Sequence, residues 1–202
     1  DLCHSCGACS YICPNGAITE EEHSVGKVFS ALPQQNQFFA HGLLNIGETA
    51  APSMITAVKN HISEKAFNII DAPPGTGCSV VEALEDSDVA VLVTEPTPFG
   101  LHDLKLALEL TNKMKIPTGV VINRSDGNDH LILNLLVKYN IPILGRIPFD
   151  RRYAEAYSKG DLLVHVFPRV KNEIMKIYTN ILKLSKKPFK QYSLPVLDEM
   201  VC

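Results

Sequence analysis

The sequence predicts an α/β fold, a parallel sheet with helices on both faces, with a small cysteine-rich unit at the N-terminus. Three observations carry the prediction. Short β-branched runs alternate with longer stretches of helical periodicity over most of the chain. The runs are apolar throughout and lack the two-residue alternation of a half-exposed sheet, which suits parallel strands covered on both sides. Four of the six cysteines fall between Cys3 and Cys13. Strand, helix, strand, helix in series implies parallel strands joined by right-handed crossovers.

Taken in order, residues 1–24 are cysteine-rich and polar and end in the acidic stretch "TEEEHSVG", which marks a small unit of its own. Residues 25–47 hold two mixed runs, "KVFSAL" and "QFFAHGLLN", on either side of the polar "PQQNQ", the pattern of a connecting hairpin. Residues 48–187 form the α/β domain and 188–202 a tail. Within the domain, "AFNIIDAPP", "DVAVLVTEP", "IPTGVVINR" and "PILGRIP" read as strands. Ser53–Ser63, Ser79–Asp86, Leu101–Lys115, Asp129–Tyr139 and Asp150–Lys159 read as helices. Val170, Ile174, Ile177, Tyr178, Ile181 and Leu182 form an apolar stripe, read as a terminal helix covering a sheet face. Ligands of open parallel sheets sit beyond the carboxyl ends of the strands, which directs attention to "DAPPGTGC", "TEPTPFG", "NRSDGND" and "IPFDRR".

Composition narrows the classes of function. With 202 residues and 46% hydrophobic content the chain can bury one core and a small satellite. A formal net charge of -3 leaves no basic footprint, so nucleic acid is not an expected partner. Apolar runs such as Val89–Val93 fall far short of the ~20 residues that span a bilayer, and membrane association is not expected. Crowded cysteines differ from the dispersed pairs of a secreted scaffold, and the reducing cytoplasm is the expected compartment.

Cys3, Cys6, Cys9 and Cys13, followed by Pro14, have the spacing C-x2-C-x2-C-x3-C-P of bacterial iron–sulfur ligands. Soft thiolates select iron–sulfur or zinc over hard cations, and small Gly7 and Ala8 let a tight loop wrap closely and donate amides to sulfur. Zinc is the alternative, although structural zinc sites usually hold two separated cysteine pairs. The run resembles those of ferredoxin-type domains and implies a [4Fe-4S] cluster. In two-cluster ferredoxins the fourth cysteine ligates the other cluster. Cys13 therefore either completes the set of Cys3, Cys6 and Cys9 or has partners outside this sequence, whose start at Asp1 favours the second arrangement.

Asp71 ends an apolar run and precedes a Pro- and Gly-rich turn, a position suited to holding the magnesium of a nucleoside triphosphate. The amides of Gly75, Thr76 and Gly77 could then sense the terminal phosphate. An acid ending a strand also serves simply as a turn former. A dinucleotide fingerprint is disfavoured, since Val80 stands where its third glycine belongs. Cys78 and the scattered histidines, His102 among them, are assigned structural roles.

Together, "DAPPGTGC", "VTEPTPFGLHDLKLALEL", "GVVINR", "GRIPFD" and "GLLNIGETAAPSMITAVK" resemble the MinD/Mrp-type P-loop ATPases, specifically those carrying an inserted ferredoxin domain. The resemblance covers nearly the whole chain and implies a sheet of P-loop NTPase type. It also implies Asp71 as the magnesium-side acid, Gly75 and Gly77 in a nucleotide-responsive switch, Asn123 reading the adenine edge and Pro148 lining the base pocket. The phosphate loop G-x-x-x-x-G-K-[ST] is missing: around Gly26–Lys27, Glu21 and Val28 occupy its other required positions. The sequence is thus expected to correspond to the carboxyl-terminal two-thirds of such a protein and, by itself, to bind ATP weakly or not at all. The expected function is an ATPase that couples nucleotide state, with magnesium, to electron transfer or cluster delivery. A redox or cluster-accepting protein is its expected partner, with pairing into a homodimer across nucleotide. The alternative is a non-enzymatic [4Fe-4S] carrier that no longer binds nucleotide.

Overall fold

The structure, a computed structural model, describes residues 7–34 and 37–186. Cys3, Cys6 and the tail 188–202 lie outside the described residues. The chain divides into two compact units, Asp1–Ala83 and Leu84–Cys202.

In the first unit a single turn of helix, α1 (Ala8–Ile12), precedes an antiparallel hairpin of β1 (Gly26–Gln34) and β2 (Gln37–Leu44), followed by α2 (Ala51–Lys59) and α3 (Cys78–Leu84). The hairpin expected from the two mixed runs is present, with Val28 opposite Gly42 and Phe29 opposite His41. Its glycine-bearing face takes α2. A Cβ on Gly42 would lie 2.5 Å from Met54 Cγ and 3.2 Å from Val58 Cγ2, so only glycine lets the helix approach this closely. On the opposite face the His41 ring lies 5.1 Å from Phe29 and 5.5 Å from Phe39. Gly26–Lys27 opens β1 and is a strand start, not a phosphate loop.

One expected strand is absent. Residues 67–71 carry no sheet assignment, and Phe67 and Ile69 are 54% and 83% exposed. A strand exists through its ladder, and among the described residues no neighbour pairs with this run.

The second unit contains β3 (Ala90–Thr94), α4 (Pro98–Lys113), β4 (Thr118–Ser125), α5 (His130–Lys138), β5 (Ile143–Pro148), α6 (Arg151–Ser158), α7 (Leu163–Val166) and α8 (Pro168–Ser185). The three strands are parallel in the order β3-β4-β5, as the alternating pattern requires. Side chains of β4 alternate between two layers. Val120 and Ile122 join Leu104 and Leu108 of α4 and Ile132, Leu135 and Leu136 of α5. Val121 and Leu144 meet Ile177 and Leu184 of α8 on the other side. The terminal apolar stripe is therefore a core-covering helix, with Val170 and Ile177 buried while Ile174 and Tyr178 remain partly exposed. Helix α4 starts where Thr97 Oγ1 accepts a hydrogen bond from the Gly100 amide at 3.0 Å, ahead of Pro98 at its first position. Expected and observed helix ends differ by a few residues at most, the ordinary fraying of helix termini.

Burial of a leucine contributes roughly 2 kcal/mol, and removing one adds the cavity left behind. Leu108→Ala, at a fully buried position of α4, is expected to lower unfolding free energy by about 2–5 kcal/mol in urea titrations.

Candidate functional site

The cysteine run is tighter than a plain loop. Gly7 adopts a left-handed backbone (φ 72°) and α1 follows directly, so Cys9 lies exposed on a helical turn and Cys13 caps its end. No residue of α1 is buried. The turn is held by short contacts: Tyr11 N donates to Gly7 O at 3.1 Å, and Ser10 Oγ donates to Glu20 Oε1 at 2.6 Å. Cys13 Sγ accepts from the Ala17 amide at 3.4 Å. Hydrogen bonds from the Ala17 and Asn15 amides hold the Cys13 thiol below its ordinary range, favouring the thiolate that ligates metal. Cys9 and Cys13 are free thiols. An exposed thiol at Cys9 and a half-buried one at Cys13, with an amide already aimed at its sulfur, fit a [4Fe-4S] cluster, whose other expected ligands, Cys3 and Cys6, lie outside the described residues.

Asp71 is exposed, and the turn after it is built around Gly75, at φ 96°. Nothing lies within 4 Å of a Cβ placed on Gly75 or Gly77. Thr76 is half-buried, and Gly77 O accepts from Val80 N at 2.9 Å to start α3, which carries the exposed Cys78. The turn is thus open on the side where a Cβ of Gly75 or Gly77 would stand.

Asn123 and Pro148 lie on neighbouring strands of the second unit at the carboxyl edge of the sheet, both half-buried. Ser125 pairs with Pro148, and the β4–β5 register shifts between Ile122 and Ser125. Asn123 stands where the unbroken burial of Thr118–Ile122 ends. Beside Pro148 a cleft of about 600 Å³ is lined by Ser125, Asp126, Gly127, Arg146, Phe149, Arg169 and Glu173 among others.

Sequence reasoning missed a set of charged residues around this edge. Asp129, 4% exposed, accepts from Ser125 Oγ at 2.9 Å and from Arg146 Nε at 3.0 Å, tying the start of α5 to β4 and β5. Arg124 pairs with Glu95 at 3.4 Å and lies over the Phe149 ring. Asp150 caps α6, accepting from Arg152 N at 2.9 Å and from Arg152 Nη2 at 2.6 Å. All lie in or beside the strand-end stretches "TEPTPFG", "NRSDGND" and "IPFDRR"; their pairing needed the sheet order.

The sheet and its two helical layers have the fold of P-loop NTPases. Residues 50–184 match the family model described as ParA, NUBPL iron-transfer P-loop NTPase, and residues 1–19 match that of a 4Fe-4S binding domain. The chain belongs to the ParA family of P-loop NTPases, with a 4Fe-4S binding domain at its N-terminal end. An uncharacterised protein of Methanocaldococcus jannaschii is 36% identical over 163 residues, covering 80% of this chain and 56% of its own. An iron-sulfur cluster carrier protein of Aquifex aeolicus is 31% identical over 133 residues, covering 58% of this chain and 36% of its own. The Pyrococcus furiosus cell division ATPase MinD superposes with a TM-score of 0.51 at 25% identity, over 66% of this chain and 57% of MinD. The chain spans about half the length of curated relatives that it matches. Among the described residues no helix is long and apolar enough to cross a membrane.

The Arg152 side chain, through its hydrogen bonds to the carboxylate, holds Asp150 below the usual carboxylate range. A depressed folded-state value stabilises the fold above the unfolded carboxylate value of about 3.9 and loses that contribution as pH falls through the folded value. Asp150→Asn keeps a capping side chain but removes the charge. The wild-type advantage in Tm over this variant is therefore expected at pH 7, and in melts at successively lower pH it should shrink and vanish once the folded-state carboxyl is protonated.

Proposed function

We propose that the protein couples nucleotide state at the carboxyl edge of its sheet to electron transfer or to delivery of an iron–sulfur cluster. The observation carrying this reading is the presence, in one chain, of a 4Fe-4S binding segment at residues 1–19 and a P-loop NTPase domain of the iron-transfer type at residues 50–184. Cys3, Cys6 and Cys9 would hold a [4Fe-4S] cluster, with Cys13 either completing it or joining another. When bound, the cluster supplies one-electron exchange, and magnesium neutralises charge on the terminal phosphates of ATP. Asp71 would hold the magnesium. The amides of Gly75, Thr76 and Gly77 would donate to the terminal phosphate, the open left-handed turn at Gly75 leaving room for close approach.

Asn123 offers both a donor and an acceptor to a base, and Pro148 gives it an apolar wall. A redox or cluster-accepting protein is the proposed partner, with homodimerisation across nucleotide and a cytoplasmic location. ATP hydrolysis further requires a G-x-x-x-x-G-K-[ST] segment, which this sequence does not contain. A second reading, supported by the match at residues 1–19 and by relatives named iron-sulfur cluster carrier protein, is a [4Fe-4S] carrier without nucleotide binding.

Protein expressed from its native reading frame and purified without oxygen should be brown, with iron and acid-labile sulfide near equal. Cys9→Ala should lower both. Bound zinc without sulfide would sink the cluster assignment. Magnesium-dependent ATP binding, lost at least tenfold in Asp71→Ala, is expected by titration calorimetry; no ATP binding by the wild type would favour the carrier reading.

A further inference from the structure

The cysteine segment and the glycine turn both belong to the first unit, and a series of short polar contacts runs between them. Ser10, which stands between Cys9 and Cys13, donates from Oγ to Glu20 Oε1 at 2.6 Å. Three residues on, His23 Nε2 lies 2.6 Å from Glu48 Oε1, and Asn45 Nδ2 donates to Ser24 O at 2.7 Å. The chain leaving the cysteines is thereby fastened to the loop that enters α2. Helix α2 is fastened in turn to α3 at one residue, Glu82. Thr56 Oγ1 donates to Glu82 Oε1 at 2.6 Å and Lys59 Nζ donates to Glu82 O at 2.6 Å, so the side chain and the main chain of Glu82 are both held. The Thr56 hydroxyl also lies 3.1 Å from Pro52 O, but its one proton is better placed on the nearer carboxylate. The two hydrophobic clusters of the described residues take in nothing from α2 or α3, and the observed join between these helices is polar. Helix α3 begins on the turn itself, where Gly77 O accepts from Val80 N at 2.9 Å and from Val81 N at 3.1 Å.

A polar join can open and close, because hydrogen bonds of exposed and half-buried groups exchange with water at little net cost. Resting on the nucleotide reading above, we propose that the clamp on Glu82 is the joint through which the cysteine segment controls nucleotide affinity at the turn Gly75–Gly77. Ligation of the thiolates orders a segment that buries no residue of α1, since ligand binding there is also folding free energy. That order passes through the Ser10–Glu20 and His23–Glu48 contacts to α2, and the clamp carries it to α3 and so to the turn. The amides of the turn then meet a terminal phosphate with less ordering left to do. With the cysteines empty, the loop entering α2 is fastened to a segment that has no ligand to order it, and the turn samples more conformations. The linkage is reciprocal: nucleotide must tighten the hold of the segment on its cluster by the same factor. Thr56, Lys59 and Glu82 are positioning residues, acting on the turn through α3.

The coupling can be measured in protein expressed from its native reading frame and purified without oxygen. A non-hydrolysable ATP analogue with magnesium is titrated into the cluster-loaded protein and into the same protein stripped of iron by a chelator. Wild type is expected to bind the analogue about fivefold more tightly when loaded. Thr56→Val combined with Lys59→Met removes both donors to Glu82 and should bring the loaded-to-stripped ratio to about one, with iron, sulfide and Tm of the loaded protein unchanged. Glu82→Gln keeps an acceptor for Thr56 and the carbonyl for Lys59, and should keep the wild-type ratio. Thr56→Val alone, at an exposed position, removes one contact and should fall between the two; its ratio decides the matter where the double variant fails to fold. A wild-type ratio in a folded double variant would overturn the clamp, as would a ratio lost in Glu82→Gln. Equal affinity of loaded and stripped wild type would overturn the coupling while leaving nucleotide binding in place. Wild type that binds no analogue in either form would overturn the nucleotide reading itself, and the joint with it.

Discussion

The second unit depends on one strand being covered on every side. From Thr118 to Ile122 every residue of β4 is buried, with ladders to β3 and β5 on its edges and helices on its faces. Val120 and Ile122 are wholly removed from solvent. A backbone in that position has no water to turn to, so each amide and carbonyl must be met by a parallel neighbour. The same enclosure admits a polar side chain only where a backbone acceptor meets it, as Ile116 O meets the Thr118 hydroxyl at 2.8 Å, and Asn123 is the first polar residue after the unbroken burial ends. The place where chemistry can start is therefore set by where burial stops.

Past that point the edge is organised by charge pairs that join strand ends to the helices that follow. Glu95 with Arg124 and Asp150 with Arg152 are open to water, where such pairs contribute little to stability. Asp129 differs because its carboxylate is buried, so loss of Ser125 or Arg146 would strand a charge without water. Its position at the mouth of α5 fixes the loop between Ser125 and His130, and hence one wall of the cleft beside Pro148. The pairs contribute modestly to the global stability of the unit. They give a definite shape to loops that would otherwise sample many.

Parallel strands and their helices were legible in the sequence because burial on both faces leaves a mark that needs no partner to be read: continuous apolar runs such as "DVAVLV" and "GVVI". The run "FNII" carries the same mark, yet it forms no strand, since composition reports a tendency and a ladder requires a neighbour. Cysteine spacing was legible for a related reason, the ligand geometry being local in the chain. The helical turn Ala8–Ile12 looks like a loop in the sequence because five residues are too few for periodicity to register. The Glu95, Arg124 and Phe149 cluster was illegible. Its members are far apart in sequence, and only the order β3-β4-β5 makes them neighbours.

These two kinds of order have different consequences for the two candidate sites. Asn123 and Pro148 are positioned by long-range sheet register, so they are placed before any ligand arrives. Cys9 and Cys13 are positioned by contacts reaching only a few residues, on a helical turn with nothing buried. A segment without a core gains its stability from what its thiolates bind, because ligation is then also folding free energy. In the proposed function this makes the two sites unequal partners. Under that proposal the sheet edge would be a preformed receptor, whereas the cysteine segment would be ordered by its own ligand and would lose that order when the ligand is passed on.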